Sequence, residues 1–449
     1  MFDTIHIVAD KHWSLSNIEG YGFSPGGLLV ILFIVAIIGI SMVIHGAFLT
    51  LLTWAFALAP LWLPVVLAIV FWNTWVSYVR TAYITKQEAI LLELRIPREI
   101  AKSPHAMELV FTGLNIGPGE GTFIQRLWEG RVRPWWSLEL ISDGGEIRFM
   151  LWTWKFYKEY IEHQFYAQFP EIEIYEVEDY ATRFIYDQEK ISLWGCDFKL
   201  STKDVYPIKT YVDYDLGGAS KPETLVDPIA HVFEWLSSLK PGEHAWMQIL
   251  IRQNKDLGPR KKDKWFEYES RWKEDAKKEI EDLRKKARTT YKDKDGKEVE
   301  GPPSATPGQQ EQIKAIERSV GKSGFDAGVR VIYLAQKESF RGINIVGLTG
   351  VFKQFGSANL NGFQPTRWLT DFSYPWQDWG GRREARTKRR LFDAFRKRSW
   401  FHPPYKTAHF VLTTEELATI YRFPSSGIKS PGLRRTPATK SEPPPNLPM

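Results

Sequence analysis

Residues 136–151 read WSLELISDGGEIRFML. Trp136, Leu138 and Leu140 alternate with Ser137 and Glu139, the two-residue period of a strand with one apolar face. Asp143-Gly144-Gly145 supplies a tight hairpin turn, and Ile147, Phe149 and Leu151 resume the alternation on the way back. Upstream, residues 90–96 place Leu92, Leu94 and Ile96 on one face and Glu93 and Arg95 on the other, predicting a half-buried strand. Pro97 ends it, and Ser103-Pro104 opens a helix over 105–114, with proline at its favoured first position. Downstream, Phe156, Tyr160, Ile161, Phe165 and Phe169 follow helical spacing over 156–169. Pro170 closes that helix, and 171–178 returns as a strand. The order β-α-β-β-α-β over residues 88–182 is the ferredoxin-like arrangement.

A second α+β domain is expected over 190–424. A strand at 207–214, a helix capped by Asp227 and running to Leu239, and a strand at 245–253 would begin it. A charged insertion over 260–310 then interrupts: 264–288 reads as an exposed Lys/Glu-rich helix, and 292–310 as a polar, disordered loop. A helix at 310–320, a strand at 327–334 and helical residues 343–355 would complete the domain. A last strand at 407–412 leads to Thr413-Thr414-Glu415-Glu416, where Thr413 and Glu416 fit a capping box. The Pro-rich tail 425–449 should be extended.

Ahead of these domains the chain runs sixty residues, 20–79, without Asp, Glu, Lys or Arg. Sixty helical residues would span roughly 90 Å against about 30 Å of bilayer hydrocarbon, so the stretch is expected to cross twice. Residues 27–46, GLLVILFIVAIIGISMVIHG, form the first expected span. The second ends at Tyr78, with Trp72, Trp75 and Tyr78 as an interfacial belt; Pro60 and Pro64 kink it or mark its start. A re-entrant piece over 48–59 is an alternative. A cleaved signal peptide ending at Ala57-Leu58-Ala59 fits poorly, because the apolar run is too long and the first residues are not basic. The domain plan is therefore an N-terminal segment 1–25, a transmembrane hairpin 26–80 and the soluble part. Lys11 alone precedes the spans, whereas Arg80, Lys86, Arg95, Arg98 and Lys102 follow. Positive charge marks the cytoplasmic side, so the bulk of the chain is expected in the cytoplasm.

Composition narrows the chemistry. One cysteine, Cys196, rules out a disulfide framework and reads as a small buried apolar residue. Gly321-Lys322-Ser323 looks like the end of a phosphate loop, but Ile316 stands where the loop needs glycine. Residues 117–121 are glycine-rich, yet Pro118 lacks an amide hydrogen and Glu120 would repel phosphate. The nine histidines show no zinc spacing, and no serine sits in a nucleophile elbow. No catalytic, cofactor or metal residue is expected, and the protein reads as a non-enzyme. Net charge is +6, gathered in patches. The densest patch holds Arg382, Arg383, Arg386, Lys388, Arg389, Arg390, Arg396, Lys397 and Arg398, with Trp376, Trp379 and Trp400 nearby as stacking candidates. Cations neutralise phosphates and aromatics stack on unpaired bases, so the mixture fits single-stranded DNA; anionic lipid or an acidic protein would also suit it.

The stretches 94–110 (LRIPREIAKSPHAMELV), 171–180 (EIEIYEVEDY), 409–424 (HFVLTTEELATIYRFP) and 443–448 (PPPNLP) resemble the membrane-anchored region that accompanies the motor in type IV secretion and conjugation-type coupling-protein ATPases of candidate-phyla bacteria. The resemblance implies an uncharacterised domain without catalytic residues. In that family the motor begins soon after a PPxNLP-like segment, so a separate P-loop ATPase is the implied partner and this chain its membrane platform.

Overall fold

The computed structural model describes residues 33, 35–37, 39, 47–97, 102–116, 122–216, 227–254, 271–292, 298–303, 305–368, 376, 378–424 and 432–433. Two compact units divide the chain, Met1–Tyr78 with Thr370–Arg386, and Val79–Leu369 with Thr387–Met449.

In the first unit, the expected span 27–46 lies outside the described residues except at 33, 35–37 and 39, which are helical. The segment weighed as re-entrant is a helix, α1 (Ala47–Ala57). Next comes α2 (Ala59–Thr85), the one described helix long and apolar enough to cross a membrane. Pro60 sits in its first turn, where no amide partner is lost, and Pro64 lies inside it without ending it. The helix runs seven residues beyond the Tyr78 end expected from the aromatic belt.

The second unit is a mixed α+β domain. Its first half runs β1 (Ala89–Arg95), α3 (Pro104–Leu114), α4 (Phe123–Leu127), β2 (Trp136–Asp143), β3 (Glu146–Trp154), α5 (Lys158–Gln168) and β4 (Glu173–Val177). The second half runs β5 (Ile191–Leu200), α6 (Pro228–Ser237), β6 (Glu243–Gln253), an arm, β9 (Gly324–Gln336), α9 (Gly342–Gly350) and β10 (Phe363–Thr366). The arm comprises α7 (Arg271–Lys286), the hairpin β7 (Arg288–Lys292) and β8 (Glu298–Pro303), and α8 (Pro307–Val320). After β10 come α10 (Arg382–Arg396), which belongs to this unit from Thr387 on, β11 (Phe410–Thr413) and α11 (Thr414–Ile420).

Among the described residues, nine strands form one sheet in the order β10-β5-β9-β6-β2-β3-β1-β4, with β11 also on β9. Every pairing is antiparallel. Counted within its half, each set of four strands runs 4-1-3-2, and the halves meet second strand to second strand, Trp136 opposite Ile251. At thirteen residues β9 is long enough to pair β11 through Gly324–Ala327 and β5 through the residues after.

One sheet face packs against the intervening helices: Leu92, Leu138, Phe149, Val331 and Met247 join Phe111, Phe165, Phe233, Leu348 and Leu417 in one core. The other face was expected to be polar and wet, at least on the first strands. It is buried: Glu93 is 2% exposed, and Ser137 and Glu139 are fully enclosed. Leu391, Phe392, Ala394 and Phe395 of α10 cover it, packing on Leu91, Ile141, Met150, Trp246 and Ile332. Gly195 permits the close approach, since a Cβ there would stand 2.7 Å from Leu391 and 2.5 Å from the Val331 carbonyl.

Several expectations need correction. Residues 207–214 are not a strand: Ile208 makes one bridge to Asn361, and the Thr210 amide donates to Asp213 in a turn. The strand is β5, unread because its sequence ISLWGCDFKL faces cover on both sides and shows no clean alternation. Phe156 and Tyr160 are exposed, and Ile161, Phe165 and Phe169 carry that helix's burial. The helix α7 is half-inserted: Trp272, Ala276, Ile280 and Leu283, a helical period, pack with Ile316 and Val411. The polar loop 292–310 contains β8 and the start of α8, capped by Thr306 and Gln309. Loop 117–121 and most of the tail lie outside the described residues; Gly432 accepts from the Ile147 amide at 2.6 Å. Cys196 is fully buried, and burial pushes its thiol up. The Thr413–Glu416 capping box is present, and Asp227 caps α6 through the Ile229 amide.

If α10 seals the second face, Leu391→Ala should lower the unfolding free energy by about 2–5 kcal/mol. Denaturant titration of the detergent-solubilised chain would read this, and an unmoved midpoint would contradict the packing.

Candidate partner interface on helix α10

The sequence LFDAF (391–395) decides which way α10 faces. Leu391, Phe392 and Phe395 sit at i, i+1 and i+4, so the helix turns one side to the sheet. Phe395 lies 5.5 Å from Trp246 and Phe392 5.4 Å from Tyr186, ring centre to ring centre. Lys388, Arg389, Arg390, Arg396 and Lys397 occupy the remaining sides. Arg389 and Arg390 are exposed and have no ion-pair partner among the described residues. Arg396 and Lys397 share Asp393 at 3.5 and 2.7 Å. Asp393 also accepts from the Tyr405 hydroxyl at 2.7 Å, and burial together with that carboxylate pushes Tyr405 up to about 12.

Arg382, Arg383 and Arg386 belong to the unit containing 370–386, where they are exposed. Trp376 and Trp379 are exposed there too, Trp379 by 84%. Asp378 accepts from the Arg383 and Glu384 amides at 2.8 Å each, capping the basic helix start.

Two candidates leave the surface set. Arg398 is 1% exposed. Its guanidinium donates to both Glu139 oxygens at 2.9 and 3.1 Å, and to Asp179. Burial alone would lower its pKa, and the two carboxylates outweigh that and raise it. Glu139 also accepts from Ser137, Tyr180 and Gln248, so the charge is held by a full set of donors. Trp400 is also 1% exposed and lies against Arg330, which pairs with Asp197 at 2.7 Å inside the sheet. Arg398 lies two residues past the end of α10, at φ +46°, so the turn that closes the helix carries it inward.

Burial pushes His402 down to about 3, aided by Arg252, Arg80, Arg133 and Lys406, so it is neutral in the fold.

Lys322 of the phosphate-loop-like triplet pairs with Glu108 at 2.5 Å, and Gly321 ends α8 where a phosphate loop would begin a helix. His244 and Asp143 lie 2.8 Å apart beside a cleft of about 490 Å³. Its described lining, including Phe184, Glu189, Lys190 and Glu338, offers no Ser, Thr or Cys nucleophile. Among the described residues no three His, Cys, Asp or Glu side chains gather to hold a metal ion.

A family model described as a domain of unknown function, DUF8128, matches residues 122–435. The chain belongs to the DUF8128 family. The matched stretch begins at the cap of α4 and takes in α10 with both its faces, whereas α2 and β1 precede it. No curated protein matches the chain.

Removing Arg398 should leave Glu139 buried and Asp179 half-buried without their cation, so Arg398→Ala should cost about 3–5 kcal/mol. The double change Arg389→Ala/Arg390→Ala should stay within about 0.5 kcal/mol, and the contrast in denaturant midpoints checks the assignment of inner and outer faces. A histidine whose folded pKa lies below its unfolded value, here about 3 against 6.5, is stabilising only while neutral. Stability should fall as pH drops from 6.5 towards 3, by about 2 kcal/mol at pH 5 from this residue. The His402→Phe variant should lose that part of the pH dependence, as melting at pH 5 and 7.5 would show.

Proposed function

We propose that this DUF8128 protein is a non-enzymatic, membrane-anchored platform of a type IV secretion or conjugation-like machine, on which a separate P-loop ATPase docks at the cytoplasmic face. The observation that carries the reading is α2, a 27-residue apolar helix followed within four residues by the first strand of a large α+β domain. With the apolar stretch 27–46 it would make a hairpin of two spans. The cations that follow it favour a cytoplasmic domain at a bacterial inner membrane. The antiparallel 4-1-3-2 order of both halves supports reading them as two ferredoxin-like units fused edge to edge, the second split by an arm. The outer face of α10 is the docking surface in this reading: Arg389 and Arg390, exposed and without an ion-pair partner among the described residues, suit an acidic patch on a motor subunit.

A second reading, single-stranded DNA binding, draws on the Arg382–Arg398 run of the sequence, with Trp376 and Trp379 as stacking candidates. It loses Arg398 and Trp400, which are enclosed. One variant separates the two. Arg389→Glu/Arg390→Glu should abolish co-purification of an ATPase from mild detergent extracts of the native cells; recovery of wild type without any ATPase or secretion subunit would overturn the platform reading. If DNA is the ligand, the variant should flatten the salt dependence of oligonucleotide affinity, and an unchanged slope would exclude these residues as phosphate contacts.

A further inference from the structure

Residues 122–131, TFIQRLWEGR, fold into α4 and its closing turn. Phe123 with Leu127, and Ile124 with Trp128, stand four residues apart and form one apolar side of the helix. That side faces outward: Phe123 is 60% exposed, Ile124 61% and Trp128 55%. It is no loose loop. Thr122 and Gln125 close a capping box, the Trp128 and Glu129 amides donate to the Ile124 carbonyl, and the Arg131 amide donates to Gln125. A preformed apolar surface at the edge of a folded domain is a place of contact.

Where it stands identifies the contact. Gly130 has φ +71°, and a Cβ there would lie 2.2 Å from the Val79 carbonyl oxygen. Only glycine allows this approach, and it holds the end of α4 against α2 where the uncharged run of α2 gives way to Arg80. That level on a spanning helix is the headgroup region. Trp128 carries an indole suited to that boundary. Arg126 is exposed and has no ion-pair partner among the described residues, while Arg131 pairs with Glu129 at 2.8 Å.

We propose that α4 is an interfacial foot that inserts Phe123, Ile124 and Trp128 into the surface of an anionic bilayer beside the anchor. The proposal rests on the membrane-anchor reading. Apolar side chains at the acyl boundary with a cation above them are the pattern of helices that lie on membranes, and anionic lipid adds to their hold. The foot would give the α+β domain its own hold on the membrane surface, beyond its link to the anchor.

The test uses the full chain in phosphatidylcholine vesicles with and without phosphatidylglycerol. Cys196 is buried, so spin labels can be placed on single added cysteines, Phe123→Cys, Trp128→Cys, Ile69→Cys within α2 and Ile343→Cys on α9. The ratio of oxygen to nickel-chelate accessibility reads depth. Labels at 123 and 128 should approach the Ile69→Cys value, several-fold above Ile343→Cys, and move deeper when phosphatidylglycerol is added. If 69 reports lipid while 123 and 128 match 343, the foot is refuted and the anchor stands; that result would also expose the surface as one for a protein partner. If 69 also matches 343, both readings fall. Depth that ignores phosphatidylglycerol would refute the anionic preference.

Discussion

A sheet of nine strands has two broad faces to keep from water, and each needs a covering layer. Helices between the strands serve the first face. The second waits for chain that arrives after the eighth strand, when α10 crosses it. That face carries Glu139, Gln248, Asp197 and Arg330, all fully enclosed, so a purely apolar cover would strand them. The cover is therefore mixed. Phe392 and Phe395 fill the apolar area, Arg398 neutralises Glu139 with Asp179, and Arg330 turns to Asp197 and the Ser399 carbonyl. Unpairing any of these charges would be expensive, which fixes the helix in one rotation. A fixed rotation is what presents Arg389 and Arg390 outward as a stable surface.

The same economy organises the other end of the domain. Tyr83 near the end of α2 meets Trp154 edge-on at 6.2 Å, and Trp135 joins it at 5.2 Å, building an aromatic layer in which His402 is kept neutral. The turn at Gly130 is drawn against Val79 in this region. The helix end is thus packed into the domain by side chains as well as joined by the peptide chain.

Much of the first half was legible because its signals are local. The hairpin at Asp143-Gly144-Gly145, the caps at Asp227 and Thr413, and the spacing of Ile161 and Phe165 depend on neighbours within a turn or two. Reading failed where burial on both faces erased alternation. ISLWGCDFKL is the strand next to the sheet's edge strand, yet Gly195 and Asp197 interrupt its pattern, and both are there for tertiary reasons: one admits Leu391, the other pairs Arg330. Residues 207–214 alternate convincingly and form turns, because Thr210, Asp213 and Asn361 give the backbone other partners. In the basic cluster, composition was readable, but helical phase could not have assigned Arg398 to the inside, because it lies past the end of α10 at φ +46°. Its acidic partners could not have been found, since Glu139 lies 259 residues away and Asp179 219.

By itself the sequence determined what a short window of chain can determine: a long uncharged segment, the periods of individual strands and helices, their caps, and a dense run of cations. These follow from local backbone preference and from hydrophobic spacing along one element. Only the tertiary structure decided that all nine strands form a single sheet, that its second face is dry, and which cations of one cluster face solvent. Those outcomes depend on pairing charges and filling volume between residues hundreds of positions apart, and no local pattern encodes the partner of a buried charge.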